Sequence, residues 1–422
     1  MRVPFLVVAT AWFVVMAGAN LATPLYALYE REFGFSSAVL TVVFATYMLV
    51  LAPALLVFGQ LSDRYGRRRV MAAGFATATV GLLTFAAAQS LPWLFAARAL
   101  QGLAVGMIAG AAAAALVELA PAPSEDRAAL FTSLAQAGGS GSGPVIAGLL
   151  AQWAPHRLVL PFALFAALGI AATAAALAIP EPKEGQSRFM FARRRRRAAK
   201  PAAEPAKVKE GQSLFRIERP GVPVEIRSLF VRVSLTGAAV WATASIFLSV
   251  VPSYAGELLD TGNLALLGAI SGTMLATSCV AQIAVRGRAR APERDQALGL
   301  VLVAAGLGAL ALAFPAESLA ALLVAALLTG TGHGLAFLAA QAQLNHAAPP
   351  DRRGAVNAAS YTLIYLGVAT AVISIGLLTL VVSLGAAVAG YAGFIAAVAL
   401  ATAAWHVRAD RADRRAPHAP RR

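Results

Sequence analysis

The 422-residue chain is poor in charge: Asp, Glu, Lys and Arg make up 13% of it, about half the share of an ordinary soluble domain, roughly 25%. With 59% hydrophobic residues and a mean hydropathy of +0.70, it does not have the composition of a soluble globular enzyme. Cysteine is nearly absent. The single Cys279 lies in an apolar run, so no intramolecular disulfide and no cysteine-built zinc site can form. No G-x-x-x-x-G-K-[ST] phosphate loop occurs, which excludes an ATP motor of that type. There is no cluster with metal-ligand spacing and no nucleophile elbow. No acidic residue lies deep in an apolar run, so paired-carboxylate catalysis has no candidates. The expectation is a protein that is not an enzyme and carries no cofactor.

What the chain has is long uncharged runs. Segments free of Asp, Glu, Lys, Arg and His cover 3–29, 33–62, 70–97, 99–117, 128–155, 158–180, 233–256, 261–285 and 296–316. Residues 318–350 hold only His333 and His346 as titratable exceptions, and 354–405 has no formal charge. A membrane-crossing helix needs about 20 apolar residues, so 354–405 must fold into two, with a turn near Ser383–Gly385. The predicted fold class is an all-α membrane protein of twelve transmembrane helices. The apolar N-terminus is too long for a signal h-region and reads as an uncleaved first helix.

The net charge of +15 would suggest nucleic acid in a soluble protein. Here its placement follows topology instead. With alternating spans and the N-terminus in the cytoplasm, thirty-two Lys and Arg fall on the cytoplasmic side and two, Arg31 and Arg157, on the other. The positive-inside rule then places both termini in the cytoplasm of a cytoplasmic (inner) membrane. Fourteen of the basic residues lie between Lys183 and Arg232, in a stretch punctuated by Pro201, Pro205, Pro220 and Pro223. Such a linker can touch anionic lipid headgroups, and a regulatory role is the alternative. No nucleic-acid partner is expected.

Sliding the chain on itself by 228 residues superposes Pro24 and Tyr26 on Pro252 and Tyr254, and Gly102 and Gly106 on Gly330 and Gly334. Gly148-Leu149-Leu150 falls on Gly376-Leu377-Leu378. The expected organisation is a six-helix half at 1–180, a basic cytoplasmic linker at 181–228, a second six-helix half at 229–408 and a cytoplasmic tail at 409–422. Parallel repeats of this kind place a substrate cavity between the halves, near mid-membrane.

The strongest local motif is Gly59-Gln60-Leu61-Ser62-Asp63-Arg64-Tyr65-Gly66-Arg67-Arg68-Arg69, expected in the connection between the second and third spans. Gly59 and Gly66 suit close approach or positive φ. Asp63 is a lone acid among arginines. In this loop the sequence resembles the major facilitator superfamily, whose signature there is G-x-L-[AS]-D-R-x-G-R-[KR]. The counterpart in the second half, from Arg286, keeps little beyond glycine and positive charge. Arg98-Ala99-Leu100-Gln101-Gly102 in the fourth span is similar to the family's R-x-x-Q-G pattern. The stretch Gly139 to Gly148, with Gly143 and Pro144, resembles the family's antiporter element G-x-x-x-G-P-x-x-G-G, with Ala147 replacing one glycine.

The resemblance implies the twelve-helix fold in two pseudo-symmetric halves, and roles for particular residues. Arg98 and Gln101 would serve proton coupling or substrate contact. The other reading of Arg98 is a side chain that snorkels to the interface. A gating cluster of Asp63, Arg64, Arg67, Arg68 and Glu118 would lock one conformation, or Glu118 is a solvated helix-end charge. His333, mid-span and titratable near neutrality, is either a proton carrier or a packing histidine. Trp241, Phe337, Tyr361 and Tyr365 either line an aromatic cavity or pack the core.

The expected function is proton-driven efflux of small amphipathic, drug-like compounds by alternating access, from a monomer whose partners are the substrate, protons and lipid. Without a deep acid, a sugar, metabolite or organic-anion carrier is the alternative. A membrane sensor or scaffold that transports nothing is the reading from another class.

Overall fold

The computed structural model describes residues 3–120, 125–179, 222–285, 291–349 and 353–415, and of these some side chains, including those of Asp63 and Arg64, are outside the description. Among the described residues the regular structure is helical, and eleven helices are long and apolar enough to cross a membrane. The fifth expected span is also present, but in three consecutive pieces: Glu125–Ser133, a π-helical turn Leu134–Gly138, and Gly139–Trp153. It completes the twelve.

In the first half the spans are Val3–Phe33, Ser37–Tyr65, Arg67–Ala86, Leu91–Leu119, the broken fifth, and Leu160–Ala178. In the second half the seventh is Arg227–Ser249 continued by Val251–Leu258, followed by Leu264–Val285, Pro292–Ala313, Leu319–Ala347, Arg353–Leu378 and Leu384–Arg415. The turn before the last span covers 379–383, a few residues ahead of the expected Ser383–Gly385, and Gly385 lies inside the last helix. The last helix runs past 408, and Arg232, counted above with the linker, is buried inside the seventh span. Most of the basic linker, 180–221, and the end of the tail lie outside the described residues, as does the degenerate second-half motif at 286–290.

Proline sets the shape of two spans. The first breaks after Ala19, passes through the tight turn Thr23–Leu25 that holds Pro24, and resumes at Tyr26. The seventh breaks after Ser249 and resumes at Val251 with Pro252 in the first turn. A proline lacks the N–H that an interior turn needs, and it is tolerated at a helix start. Both breaks bury a tyrosine, Tyr26 and Tyr254, 228 positions apart.

Glycine sets the packing. A Cβ on Gly102 would overlap the carbonyl oxygen of Tyr47, and one on Gly330 would overlap that of Met274. The fourth span thus lies backbone-close on the second, and the tenth on the eighth, at matching positions of the two halves. Lipid supplies no hydrophobic drive to join helices, so close van der Waals approach at small residues takes over. The outer faces carry large apolar side chains, such as Ile170, Leu312 and Phe394, each more than 60% exposed. That is the surface a hydrocarbon solvent requires.

One expectation is corrected here. The motif 59–69 is not a loop: the second span continues to Tyr65 and the third starts at Arg67, so the connection is Gly66 alone. Its φ of +91° and ψ of +142° belong to a region that only glycine enters cheaply. Gly59, by contrast, is neither at positive φ nor tightly packed: nothing lies within 4 Å of its would-be Cβ.

Candidate functional site

Three groups of side chains stand out. The first surrounds Arg98, which is 1% exposed. Its Nη1 donates to the carbonyl oxygen of Ala19 at 2.6 Å and to Gln101 Oε1 at 2.8 Å, while Nη2 donates to the Tyr26 hydroxyl. Its guanidinium carbon lies 5.3 Å from the ring centroids of Tyr26 and Phe44, and 5.6 Å from that of Phe85. Among the described residues no carboxylate pairs with it. The positive charge is met instead by a carbonyl at a helix C-terminus, where the dipole is negative, and by aromatic faces. Arg98 does not snorkel; it is fastened inside the first half, onto the break in the first span. Gln101 completes the clamp by donating to Gly18 O at 3.3 Å.

The second group lies at the ends of the second, third and fourth spans. Arg67 Nη2 lies 3.0 Å from Glu118 Oε1, both partly exposed. Arg68 Nη1 donates to the carbonyls of Leu177 and Ile179 at 3.5 and 3.4 Å, at the C-terminus of the sixth span. Of the expected cluster, the structure brings Arg67 to Glu118 and sets Arg68 on the end of the sixth span. The side chains of Asp63 and Arg64 lie outside the described residues.

The third group lies in the second half and reaches into the first. His333, fully buried, hydrogen-bonds through Nδ1 to Ser278 Oγ at 2.8 Å. Trp241 meets it edge-on with centroids 5.1 Å apart, and Phe337 lies 5.6 Å from Trp241 and 5.7 Å from His333. Tyr361 and Tyr365 stack on each other at 6.3 Å, and Gln136 of the π turn donates to the Tyr365 hydroxyl at 3.4 Å. Gln282 Nε2 donates to Ser278 Oγ at 3.1 Å, and Ser133 donates to Gln282 Oε1. Arg98 and Gln101 are not among these partners. Among the described residues no hydrogen bond or ring contact joins Arg98 and Gln101 to His333, or His333 to the Tyr361–Tyr365 pair.

Between the halves runs a seam of backbone. The antiporter-like stretch of the fifth span presents Gly139 and Gly143 to the first span, at Phe13, Met16 and Ala17, and Gly141 and Gly148 to the eighth. Cβ atoms on Gly268 and Gly272 would overlap or crowd the carbonyl oxygens of Pro144 and Gly141. Gln152 Oε1 accepts from Leu264 N at 2.9 Å, capping the eighth span from the opposite half. Gly268 and Gly272 escaped the sequence reading, as did Ser133, Ser278 and Gln282. A small-x-x-x-small spacing marks the two glycines, but with 36 glycines in the chain it does not stand out. The serines and Gln282 carried no signal of their own.

Comparison with known proteins yields one family: the Major Facilitator Superfamily model matches residues 8–372. A puromycin resistance protein of Streptomyces alboniger is 34% identical over 170 residues, 39% of this chain and 33% of that protein. A cephamycin export protein of Amycolatopsis lactamdurans is 32% identical over 152 residues, 36% of this chain and 31% of that one. A quinolone resistance protein of Staphylococcus aureus is 24% identical over 163 residues, 38% of this chain and 40% of that one. The matches thus span between about a third and two fifths of those relatives' lengths. A solved D-xylose–proton symporter superposes with a TM-score of 0.73 at 14% identity, covering 95% of this chain and 96% of that one. That likeness is one of fold.

Proposed function

This chain belongs to the major facilitator superfamily, and from that premise we propose that it exports small amphipathic compounds across the cytoplasmic membrane in exchange for protons, with both termini in the cytoplasm. What supports export is the seam. The stretch resembling the family's antiporter element is built into the contact between the fifth and eighth spans, which must separate for the halves to rock. The relatives' names, resistance to puromycin and quinolones and export of cephamycin, point the same way.

Arg98 bears on the rival carrier readings. An organic-anion carrier would use its guanidinium fork to grip a carboxylate, but here the guanidinium is buried within the first half, with Nη1 and Nη2 engaged by Ala19, Gln101 and Tyr26 and Nε the one nitrogen without a hydrogen-bond partner. Its role in the proposed cycle is to hold the bend of the first span in place while the halves move. Arg67 and Glu118 form the gating pair.

The test uses everted vesicles with an acid-inside proton gradient read by a pH-sensitive dye. Tetraphenylphosphonium, a neutral sugar and an organic anion are added in turn. Proton release on adding the lipophilic cation, absent in Arg98→Ala vesicles, is the expected result. Release with the sugar or anion alone would overturn the substrate class, and none with any of the three would remove proton exchange from the reading.

A further inference from the structure

We propose that the depression between the outer end of the first span and the connection from the fifth to the sixth span binds the headgroup of phosphatidylethanolamine, with Arg31 and Arg157 taking the phosphate and Glu32 the ammonium. The inference takes from the reading above only the orientation of the chain, and it holds for an exporter and for any other carrier of this fold.

The depression, about 540 Å³, is lined on one side by Leu28, Arg31 and Glu32 and on the other by residues 156–159. Leu28, Arg31 and Glu32 stand at i, i+3 and i+4 and so share one face of the helix Tyr26–Phe33. The other wall is a closed turn. His156 has a φ of +54°, and its carbonyl accepts from Val159 N at 2.8 Å and from Leu160 N at 2.9 Å. Histidine enters this left-handed region more readily than most residues. Two short hydrogen-bonded elements thus hold the backbones of both walls, and little order has to be imposed when a ligand arrives. Trp153 gives the height of the site. It ends the fifth span and is 71% exposed, the position of a tryptophan in the headgroup layer, and His156 follows three residues later.

Three observations set these charges apart from ordinary solvated ones. Insertion disfavours positive charge on the outer side, yet the two outer arginines, of 35 Lys and Arg in the chain, lie on the same depression. The repeat does not require them, since 228 positions further on stand Leu259 and Gly385. Among the described residues, no ion pair or side-chain hydrogen bond engages Arg31, Glu32, His156 or Arg157, so their bonding capacity is unspent.

The two arginines alone would suit any phosphate, whose oxygens match the planar guanidinium fork. Glu32 decides the rest of the headgroup. A carboxylate beside Arg31 repels the anionic headgroup of phosphatidylglycerol, whereas a primary ammonium brings three N–H donors to it. Leu28, Leu158 and Val159 give the glycerol end of the lipid an apolar wall. A free phosphate ion would use neither Glu32 nor that wall.

The experiment is native mass spectrometry of the full-length protein extracted from vesicles of equal phosphatidylethanolamine and phosphatidylglycerol, counting the lipids retained. Wild type should retain the ethanolamine lipid over the glycerol lipid. Glu32→Gln, which keeps the shape and loses the charge, should lower that ratio about two- to fivefold, the worth of one exposed ion pair. Arg31→Ala and Arg157→Ala should each reduce retention of both lipids by a similar factor. The three side chains are exposed and bond nothing in the fold, so their loss leaves folding intact. A wild type that prefers the glycerol lipid, or retains neither, overturns the proposal. So does a Glu32→Gln ratio equal to that of wild type, or unchanged retention in the two arginine variants. No flux is measured, so silent vesicles in the exchange assay sink the export reading alone, and an unchanged lipid ratio sinks only the headgroup site.

Discussion

Arg98 shows what one residue can reveal before its surroundings are known. An arginine within an uncharged run must find partners or a wet cavity, since insertion costs at least roughly 2.5–3.5 kcal/mol, and that much is legible from sequence. Its partners were not. Tyr26 and the Ala19 carbonyl come within reach only because Pro24 breaks the first span, and no pattern in either span announces that meeting. The geometry makes Arg98→Lys a poor substitute, because one ammonium cannot serve the same fork or cover three rings. The variant should lose about 1.5–3 kcal/mol of stability, the worth of a charged hydrogen bond. A thermal melt in detergent would show it, with vesicle flux falling alongside. A melt equal to wild type would mean that the clamp holds nothing.

Among the elements, the fifth span was the most legible and the most incomplete. Its glycines and Pro144 announced close packing, and the structure divides them by face: Gly139 and Gly143 toward the first span, Gly141 and Gly148 toward the eighth. The partner glycines of the eighth span were invisible, because sequence periodicity says which residues share a face and not which helix that face meets. Gly268→Leu should therefore push the Pro144 backbone away and prop the seam open. Cys279 Sγ lies 3.6 Å from the would-be Cβ of Gly138 across the seam. The measurable result is faster maleimide labelling of Cys279, with flux lost, while Leu at the open position Gly308, where nothing lies within 4 Å, should change neither. Unchanged labelling in Gly268→Leu would mean that the seam is not the contact that closes the halves. The motif at 59–69 makes the complementary point. Its residues carry the family resemblance, but two helices consume nearly all of it and leave Gly66 as the entire connection.

For the whole molecule, the twelve spans were readable because the membrane imposes length and apolarity on every one of them. The internal repeat was readable because prolines and glycines recur at 228 residues for mechanical reasons: both first-span breaks and both glycine approaches need them. How the halves dock was not readable, since that depends on pairs of positions with no sequence relation. The π turn at Leu134–Gly138 adds a consequence for chain length. Such a turn holds one residue more than the α-helix it interrupts, so the segments before and after it keep their facing only if the surplus is lost there and nowhere else. Removing Ala137 should regularise the helix, giving up Gln136–Tyr365 while leaving the glycine seam in register. Removing Ala147 should turn the rest of the span by about 100° and take Gly148 off the eighth. Melts of the two deletions should differ, with the first near wild type and the second far below. Insertions and deletions are ordinarily harmless in loops and ruinous in buried helices; this span carries, inside the membrane, a single place where the sequence has a residue to spare.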